Sequence, residues 1–329
     1  MSDCPLPHEP ERVVLAHGGG GRAMRRLLKE RVASALGEQV LQHDAALLSA
    51  SGKLALTTDS FVVNPLFFPG GDIGELAVYG TVNDLASAGA EPLALTLSLI
   101  LEEGLELGTL DRVLASVRAA ADQVGVQVVT GDTKVVERGH GHGLYLNTAG
   151  LGQVRLESSP QRVREGDVVL VSGDLGRHGV AVMAARQGLA FETPVRSDCA
   201  SCLPQLRALD SVRCLRDPTR GGLAAVLHEL AGPHDLLLDE AALPVHPGVR
   251  AACELLGLDP VHLPCEGRLV AFVDPEQAPV ALAAWQALDP SAAQVGRVVG
   301  GRGRVWLQDA YGGERLLDLP LGEQLPRIC

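Results

Sequence analysis

Three features of the sequence predict an α/β fold built in two units. Short apolar or β-branched runs alternate with segments of helical period. The chain has 329 residues, more than one hydrophobic core usually serves. A charged stretch without apolar period, 157–166, carries Ser158-Ser159-Pro160 and interrupts the pattern near its middle. The expected segments are 1–40, 41–155, 156–316 and a tail, 317–329.

In the first unit, Met24, Leu27, Leu28, Val32 and Ala35 share one face of a helix over 23–36, stopped by Gly37, with Lys29 on its solvated side. Leu47-Leu48 and Leu54-Ala55-Leu56 flank Ser51-Gly52-Lys53 and read as a hairpin. A buried helix is expected from about Gly74 to Ala88, capped by Gly89, then a strand over 93–101. Thr109 is placed to cap a helix carrying Leu110, Val113, Leu114, Val117, Ala121 and Val124 and ended by Gly125. The β-branched run 126–129 and the alternating 144–148 complete the unit.

The second unit reads as strand 168–171, helices near 179–188, 203–209 and 221–231, strand 236–238, a helix near 247–256 and strand 269–273. A helix near 276–287 and strands near 295–299 and 304–308 follow. In the tail, Pro320, Gly322 and Pro326 break any period, so 317–329 is expected to be a loose arm. Fully extended, it would span roughly 40 Å.

Composition excludes several classes of function. Forty acidic residues against 28 basic ones leave a formal charge of −12, which opposes binding to a phosphate polymer. Ten aromatic residues also offer few stacking platforms, so nucleic acid is not an expected partner. The longest apolar run, 93–101, is broken by Thr96 and Ser98 and falls well short of the roughly 20 residues a bilayer requires. No basic, apolar-cored signal segment opens the chain, so no membrane association and a cytoplasmic location are expected. The seven cysteines are scattered and odd in number, which fits reduced thiols. Cys199 and Cys202 have CxxC spacing, but no second pair or nearby His completes a zinc site.

Several residues point to chemistry. Asp59 and Asp132 are each expected to close a strand, where α/β sheets present ligands. Asp84 lies in a helix that is apolar on nearly all sides, so its carboxylate needs a partner or a cation. Three carboxylates from separate elements suit Mg²⁺ shared with substrate phosphates. Gly18, Gly19, Gly20 and Gly21 form either a loop that wraps phosphate with backbone N–H groups or a flexible joint. No GxxxxGK[ST] sequence occurs, and the glycine run fits no dinucleotide fingerprint. Arg216-Asp217-Pro218-Thr219-Arg220-Gly221-Gly222 and Pro264-Cys265-Glu266-Gly267 read by default as turns. Of the 28 basic residues only Lys29, Lys53 and Lys134 are lysines, the residue that offers a compact charge.

Taken in order, TVNDLASAGA (81–90), TGDTKVVERG (130–139), RDPTRGGLA (216–224) and the terminal LPRIC (325–329) are specific, and the matching segments span essentially the whole chain. The chain resembles the HypE family of hydrogenase-maturation factors, carbamoyl dehydratases within the superfamily of aminoimidazole ribonucleotide synthetase. The resemblance implies a two-domain fold of that superfamily, with an N-terminal domain that binds ATP and dimerises, a C-terminal α/β domain and a mobile tail. It implies ATP and Mg²⁺ as cofactors, with Asp59, Asp84 and Asp132 as acidic metal and nucleotide positions, Thr133 beside them and Gly18–Gly21 covering phosphate. Cys329 matches the thiol that receives a carbamoyl group from the carbamoyltransferase HypF. Dehydration of that thiocarboxamide gives a thiocyanate, whose cyanide passes to iron held by HypC and HypD for the [NiFe]-hydrogenase. Lys134 and Glu266 match residues acting near the terminal Cys, here assigned as cationic clamp and base.

Two departures from the family pattern stand out: Pro264-Cys265 replaces the usual Ala-Asn, and Arg177 stands where an acid is common. The alternatives are an ATP-dependent small-molecule amide-activating enzyme of the same superfamily, which needs no terminal Cys, and a non-catalytic assembly module. Retention of the three aspartates and Lys134 argues against the module.

Overall fold

In the computed structural model the described residues are 11–41, 45–189 and 195–319. The first unit is a four-stranded sheet with helices on one face. Its strands are Leu54–Phe61 (β1), Ala90–Glu102 (β2), Val128–Val136 (β3) and Leu144–Val154 (β4), in the spatial order β1-β4-β2-β3. β4 is antiparallel to β1 and β2, and β3 runs parallel to β2. One register row runs Asp59, Thr148, Leu97, Gly131 across all four strands.

Helix Ile73–Ser87 lies against the inner face of this sheet and is backed by helix Leu107–Val124. It is buried nearly all round because Ile73, Leu76, Ala77, Val78, Val82, Leu85 and Ala86 leave it no apolar-free side. Asp72 caps it, accepting from the N–H groups of Gly74 (2.8 Å) and Glu75 (3.1 Å) and from the Ser116 hydroxyl of the backing helix. Gly74 permits the close crossing, since a Cβ there would lie 2.5 Å from the Val113 carbonyl oxygen.

The second unit centres on a seven-stranded sheet. Its spatial order is Glu314–Leu316, Val305–Gln308, His234–Asp239, Ala293–Gly300, Val168–Val171, Val270–Val273, Cys214–Arg216. Helices Arg177–Gln187, Gly222–Ala231, Pro247–Leu256 and Ala278–Leu288 accompany it. One apolar core runs unbroken from Leu95 and Leu97 of the first sheet to Leu170, Leu203 and Trp285 of the second unit. The two units therefore share a fixed junction. Among the described residues, no helix is long and apolar enough to cross a membrane.

Several local expectations are corrected. Leu47-Leu48 form no strand, and β1 pairs with β4 instead of folding back as a hairpin. The N-terminal helix is interrupted, with Leu28–Ala33 in π geometry between Arg22–Leu27 and Ser34–Leu36. Helix Leu107–Val124 begins before Thr109, and its N-cap is Glu106. Asp59 and Asp132 do not close strands. β1 continues to Phe61 and β3 to Val136, because Gly131 is a point of close strand approach and not a break. A Cβ on Gly131 would stand 2.0 Å from the Leu97 carbonyl oxygen.

The Asp72 cap yields a test. Replacing Asp72 with Ala should lower unfolding free energy by about 1–2 kcal/mol, and Asp72→Asn by less, because Asn still accepts from the helix N–H groups. Chemical denaturation at neutral pH measures both.

Candidate active site

A cleft of about 220 Å³ opens where the first sheet, the buried helix and two loops of the second unit meet. Asp59 from β1 and Asp84 from the buried helix form one wall, and Arg216, Asp217, Arg220 and Glu266 from the second unit form the other. Gly80 lies one helical turn before Asp84. A side chain there would collide with the Phe61 ring at 2.8 Å and stand 3.7 Å from Asp59 Oδ2, so its absence keeps this end of the cleft open.

Each carboxylate has a defined setting. Asp84 Oδ2 accepts from Thr57 Oγ1 at 2.6 Å, and Asp59 Oδ1 accepts from the Ser60 N–H at 2.8 Å. Burial pushes the Asp84 pKa up against the opposing pull of Thr57, Arg216 and Arg220. Burial likewise raises Asp59, with Asp84 adding repulsion. Asp217 is pushed up to about 6 by burial and then by Asp84. Glu266, only 4% exposed, is raised well above the ordinary carboxylate range by burial and by Asp217, Asp198, Asp59 and Asp84. A crowd of acids beside few cations is a site that receives positive charge.

The remaining expected residues lie elsewhere in the chain. Along the register row, Asp59 and Gly131 are separated by three inter-strand spacings, or ~14 Å. Asp132, next to Gly131 on the far edge strand, therefore cannot join Asp59 and Asp84 on one ion within one chain. Among the described residues no group of three or more His, Cys, Asp or Glu side chains is placed to hold a metal. Asp59 and Asp84 nevertheless supply the hard oxygen donors that Mg²⁺ takes, usually one or two carboxylates completed by phosphate and water.

At the far edge, Lys134 Nζ bonds Asp132 at 2.9 Å and is 65% exposed, and it is not among the residues lining the cleft that holds Glu266. That bond holds the Asp132 pKa below its ordinary value. Gly18 rests on the same strand, where a Cβ would stand 3.0 Å from Val135 Cβ, so the Gly18–Gly21 loop shares this edge. A second cavity of about 660 Å³ adjoins it, walled by Met24, Leu28, Val32, Leu97 and Leu99 and floored by Gly131, Asp132 and Thr133. The expected site thus divides into two groups at opposite edges of one sheet.

Arg216, Asp217 and Arg220, whose loop reads by default as a turn and is given no site role by the sequence, form a wall of the cleft. The signal was available in three charged side chains packed around a Pro immediately before an apolar helix. Cys265 is fully buried, with the Gly176 N–H donating to its sulfur at 3.1 Å, and burial raises its thiol pKa. Arg177 pairs with Asp174 at 3.5 Å. Cys199 and Cys202 are free thiols. Cys329 lies outside the described residues.

Comparison with known proteins agrees with this architecture. Residues 42–154 match the model of AIR synthase related protein, N-terminal domain, and residues 164–308 match that of its C-terminal domain. Carbamoyl dehydratase HypE of Bradyrhizobium diazoefficiens is 50% identical, with 96% of each chain covered. A crystal structure of hydrogenase maturation protein HypE in complex with ATP superposes with a TM-score of 0.92 at 44% identity, covering 96% of this chain and 99% of that one. The structure of a HypE–HypF complex matches with a TM-score of 0.80 at 42% identity, covering 89% and 99%. With its two domains matched and this identity sustained over nearly its full length, the chain belongs to the HypE family of carbamoyl dehydratases, on the AIR synthase related fold.

Proposed function

We propose that this protein uses ATP to dehydrate a carbamoyl group carried on its own Cys329, converting a thiocarboxamide to a thiocyanate that supplies cyanide for the iron of [NiFe]-hydrogenase. The observation that carries this reading is the acid-lined cleft of Asp59, Asp84 and Glu266 in a chain 50% identical to a carbamoyl dehydratase. The reaction turns S–C(=O)–NH₂ and ATP into S–C≡N, ADP and phosphate. The amide oxygen is a poor leaving group until it carries the γ-phosphoryl group. One N–H proton is lost on that activation and the second as phosphate departs.

Within this reading, Asp59 and Asp84 hold Mg²⁺, which neutralises phosphate charge when bound. Glu266 takes a nitrogen proton, a role suited to a carboxyl whose proton affinity is raised by burial and by the acids around it. Gly18–Gly21 cover the phosphates with backbone N–H groups, and the apolar cavity above Asp132 and Thr133 takes the base of the nucleotide. Lys134 clamps the developing negative charge. HypF, which appears with a HypE in a related complex, donates the carbamoyl group, and a HypC–HypD complex receives the cyanide. The protein works in the cytoplasm.

The two groups of residues meet in a homodimer. The sheet face away from the helices exposes Leu54 (44%) and Leu56 (78%), and both β1 and β3 are edges without a pairing neighbour among the described residues. Apolar exposure and open edges together favour a second sheet on this face. An arrangement that sets β3 of one copy beside β1 of its partner brings Gly18–Gly21, Asp132 and Lys134 to the partner's Asp59 and Asp84.

Intact-mass measurement tests the chemistry. With the carbamoyltransferase, carbamoyl phosphate and ATP, the protein should gain a carbamoyl adduct that then loses one water. Cys329→Ala should abolish both changes while ATP binding stays normal, and Lys134→Ala should accept the group yet retain the water; an adduct on Cys329→Ala would make another thiol the carrier. Asp84→Asn should weaken Mg²⁺-dependent ATP binding by at least about tenfold, ~1.4 kcal/mol, in calorimetry without lowering the melting temperature. The dimer reading is tested by mixing subunits at an ATP concentration too low for Asp84→Asn or Lys134→Ala chains to turn over alone: together they should recover about a quarter of wild-type activity, since half the dimers are hybrids with one intact site. No recovery would place each site within one chain.

A further inference from the structure

Asn83 immediately precedes Asp84 on the buried helix and is 1% exposed. Among the described residues its side chain bonds across the junction, into the second unit. Nδ2 donates to the carbonyl oxygens of Ala200 at 3.0 Å and Glu266 at 3.1 Å, and Oδ1 accepts from the Cys202 N–H at 2.7 Å. One turn later, Ser87 Oγ donates to the Asp217 carboxylate at 3.2 Å. The Ser87 carbonyl oxygen accepts from Ser158 Oγ at 2.7 Å, and that hydroxyl accepts from the Leu215 N–H at 2.8 Å. Residues four apart share a helix face. The second unit contributes two acids to the cleft, Glu266 and Asp217, and this one face of a first-unit helix touches the chain of both.

The grip on Glu266 is on its backbone, which leaves the carboxyl to line the cleft. On the other side of Glu266, the Gly267 N–H donates to Asp198 Oδ2 at 3.3 Å, and a Cβ on Gly267 would stand 1.9 Å from the Asp198 carbonyl oxygen. The loop is thus held on both flanks of the acid. Breaking the Asn83 bonds would take the Cys202 N–H and the Ala200 carbonyl from the only partners they have among the described residues and leave the Glu266 carbonyl a single longer bond, from the Ala200 N–H at 3.5 Å; with the bonds to Cys202 and Glu266 buried, the bridge is stiff.

We propose that Asn83 is a positioning residue for the dehydration: by bridging Ala200, Cys202 and Glu266 it fixes the loop that carries Glu266 against Asp84 across the junction of the two units. This rests on Glu266 acting as the base in the function proposed above. A group displaced by about 1 Å can cost on the order of a hundredfold in rate, so a single buried amide at this point controls the chemical step without touching substrate.

The test uses the full-length protein with its carbamoyltransferase. Asn83→Asp keeps the shape and the acceptor for Cys202 but sets an oxygen against two carbonyl oxygens. The carbamoylated form should lose water at least about tenfold more slowly, while carbamoyl acceptance and ATP affinity change by less than about threefold. A rate within about twofold of wild type, or a parallel fall in dehydration, acceptance and ATP affinity, overturns the proposal. Where Asn83→Asp does not fold, amide exchange in the unaltered protein decides: the Cys202 N–H should exchange as slowly as core amides, and exchange at the rate of an exposed loop overturns the bridge. A wild-type protein that takes the carbamoyl group but never loses water refutes the function itself, and Cys202 exchange still judges the bridge.

Discussion

A helix with apolar neighbours on every side must set each polar group it carries against a waiting partner, because an unpaired one costs about 1–3 kcal/mol. Ile73–Ser87 meets that constraint in three directions. Thr81 turns toward the sheet and bonds the Thr148 hydroxyl, Gly80 and Asp84 open onto the cleft, and Asn83 and Ser87 reach the second unit. The helix is therefore both the spine of the first unit and the reference against which the other unit's acids are placed. Its cap on Asp72 and its close crossing at Gly74 fix where along the sheet that reference sits.

The cleft is organised by repulsion as much as by bonding. Asp59, Asp84, Asp217 and Glu266 converge with Asp198 behind them, while Arg216 also turns away to pair with Glu229. Burial raises all four, and repulsion from neighbouring acids adds to it at Asp59, Asp217 and Glu266. Linkage gives this a sign: Asp217, near 3.8 unfolded and about 6 folded, holds its proton better in the fold, so its contribution to stability is full below pH 4 and is lost as pH rises toward 6. Positive charge brought against the cleft reverses that loss. A site that is electrostatically uneasy when empty has free energy to release on binding, which is how a cleft of this kind favours a charged ligand over water.

Much of this was legible in the sequence where one residue contradicted its surroundings. Asp84 stood out as a charge inside an apolar helix, and the structure gives it both the hydroxyl partner and the opening that such a charge requires. Helical period located most helices of both units. Strand ends were misread where a glycine imitated a break: Gly131 marks a close strand approach, so the strand continued through Asp132. Leu47-Leu48 imitated a hairpin arm because local alternation cannot reveal that β1 pairs with a strand some 90 residues away. The charges of Arg216, Asp217 and Arg220 around Pro218 are visible in the sequence, but their role as a cleft wall is not, since a turn becomes one only when another unit packs against it.

Strand order carries the largest consequence that local pattern does not contain. β4 and β2 lie between Asp59 and Asp132, and both are hydrogen-bonded along most of their length, so no hinge or rotamer closes the ~14 Å between those residues. The two groups of site residues occupy the two open edges of the sheet, and the face between those edges is the one that leaves Leu54 and Leu56 in solvent. In the dimer proposed above, the cover over this apolar face and the partners for its edges are also what brings the two groups of residues together. On that proposal, a second copy meets both needs with one surface. In that arrangement nucleotide binding and subunit association draw on the same contacts, and a ligand spanning Asp59 of one chain and Lys134 of the other stabilises the dimer by mass action.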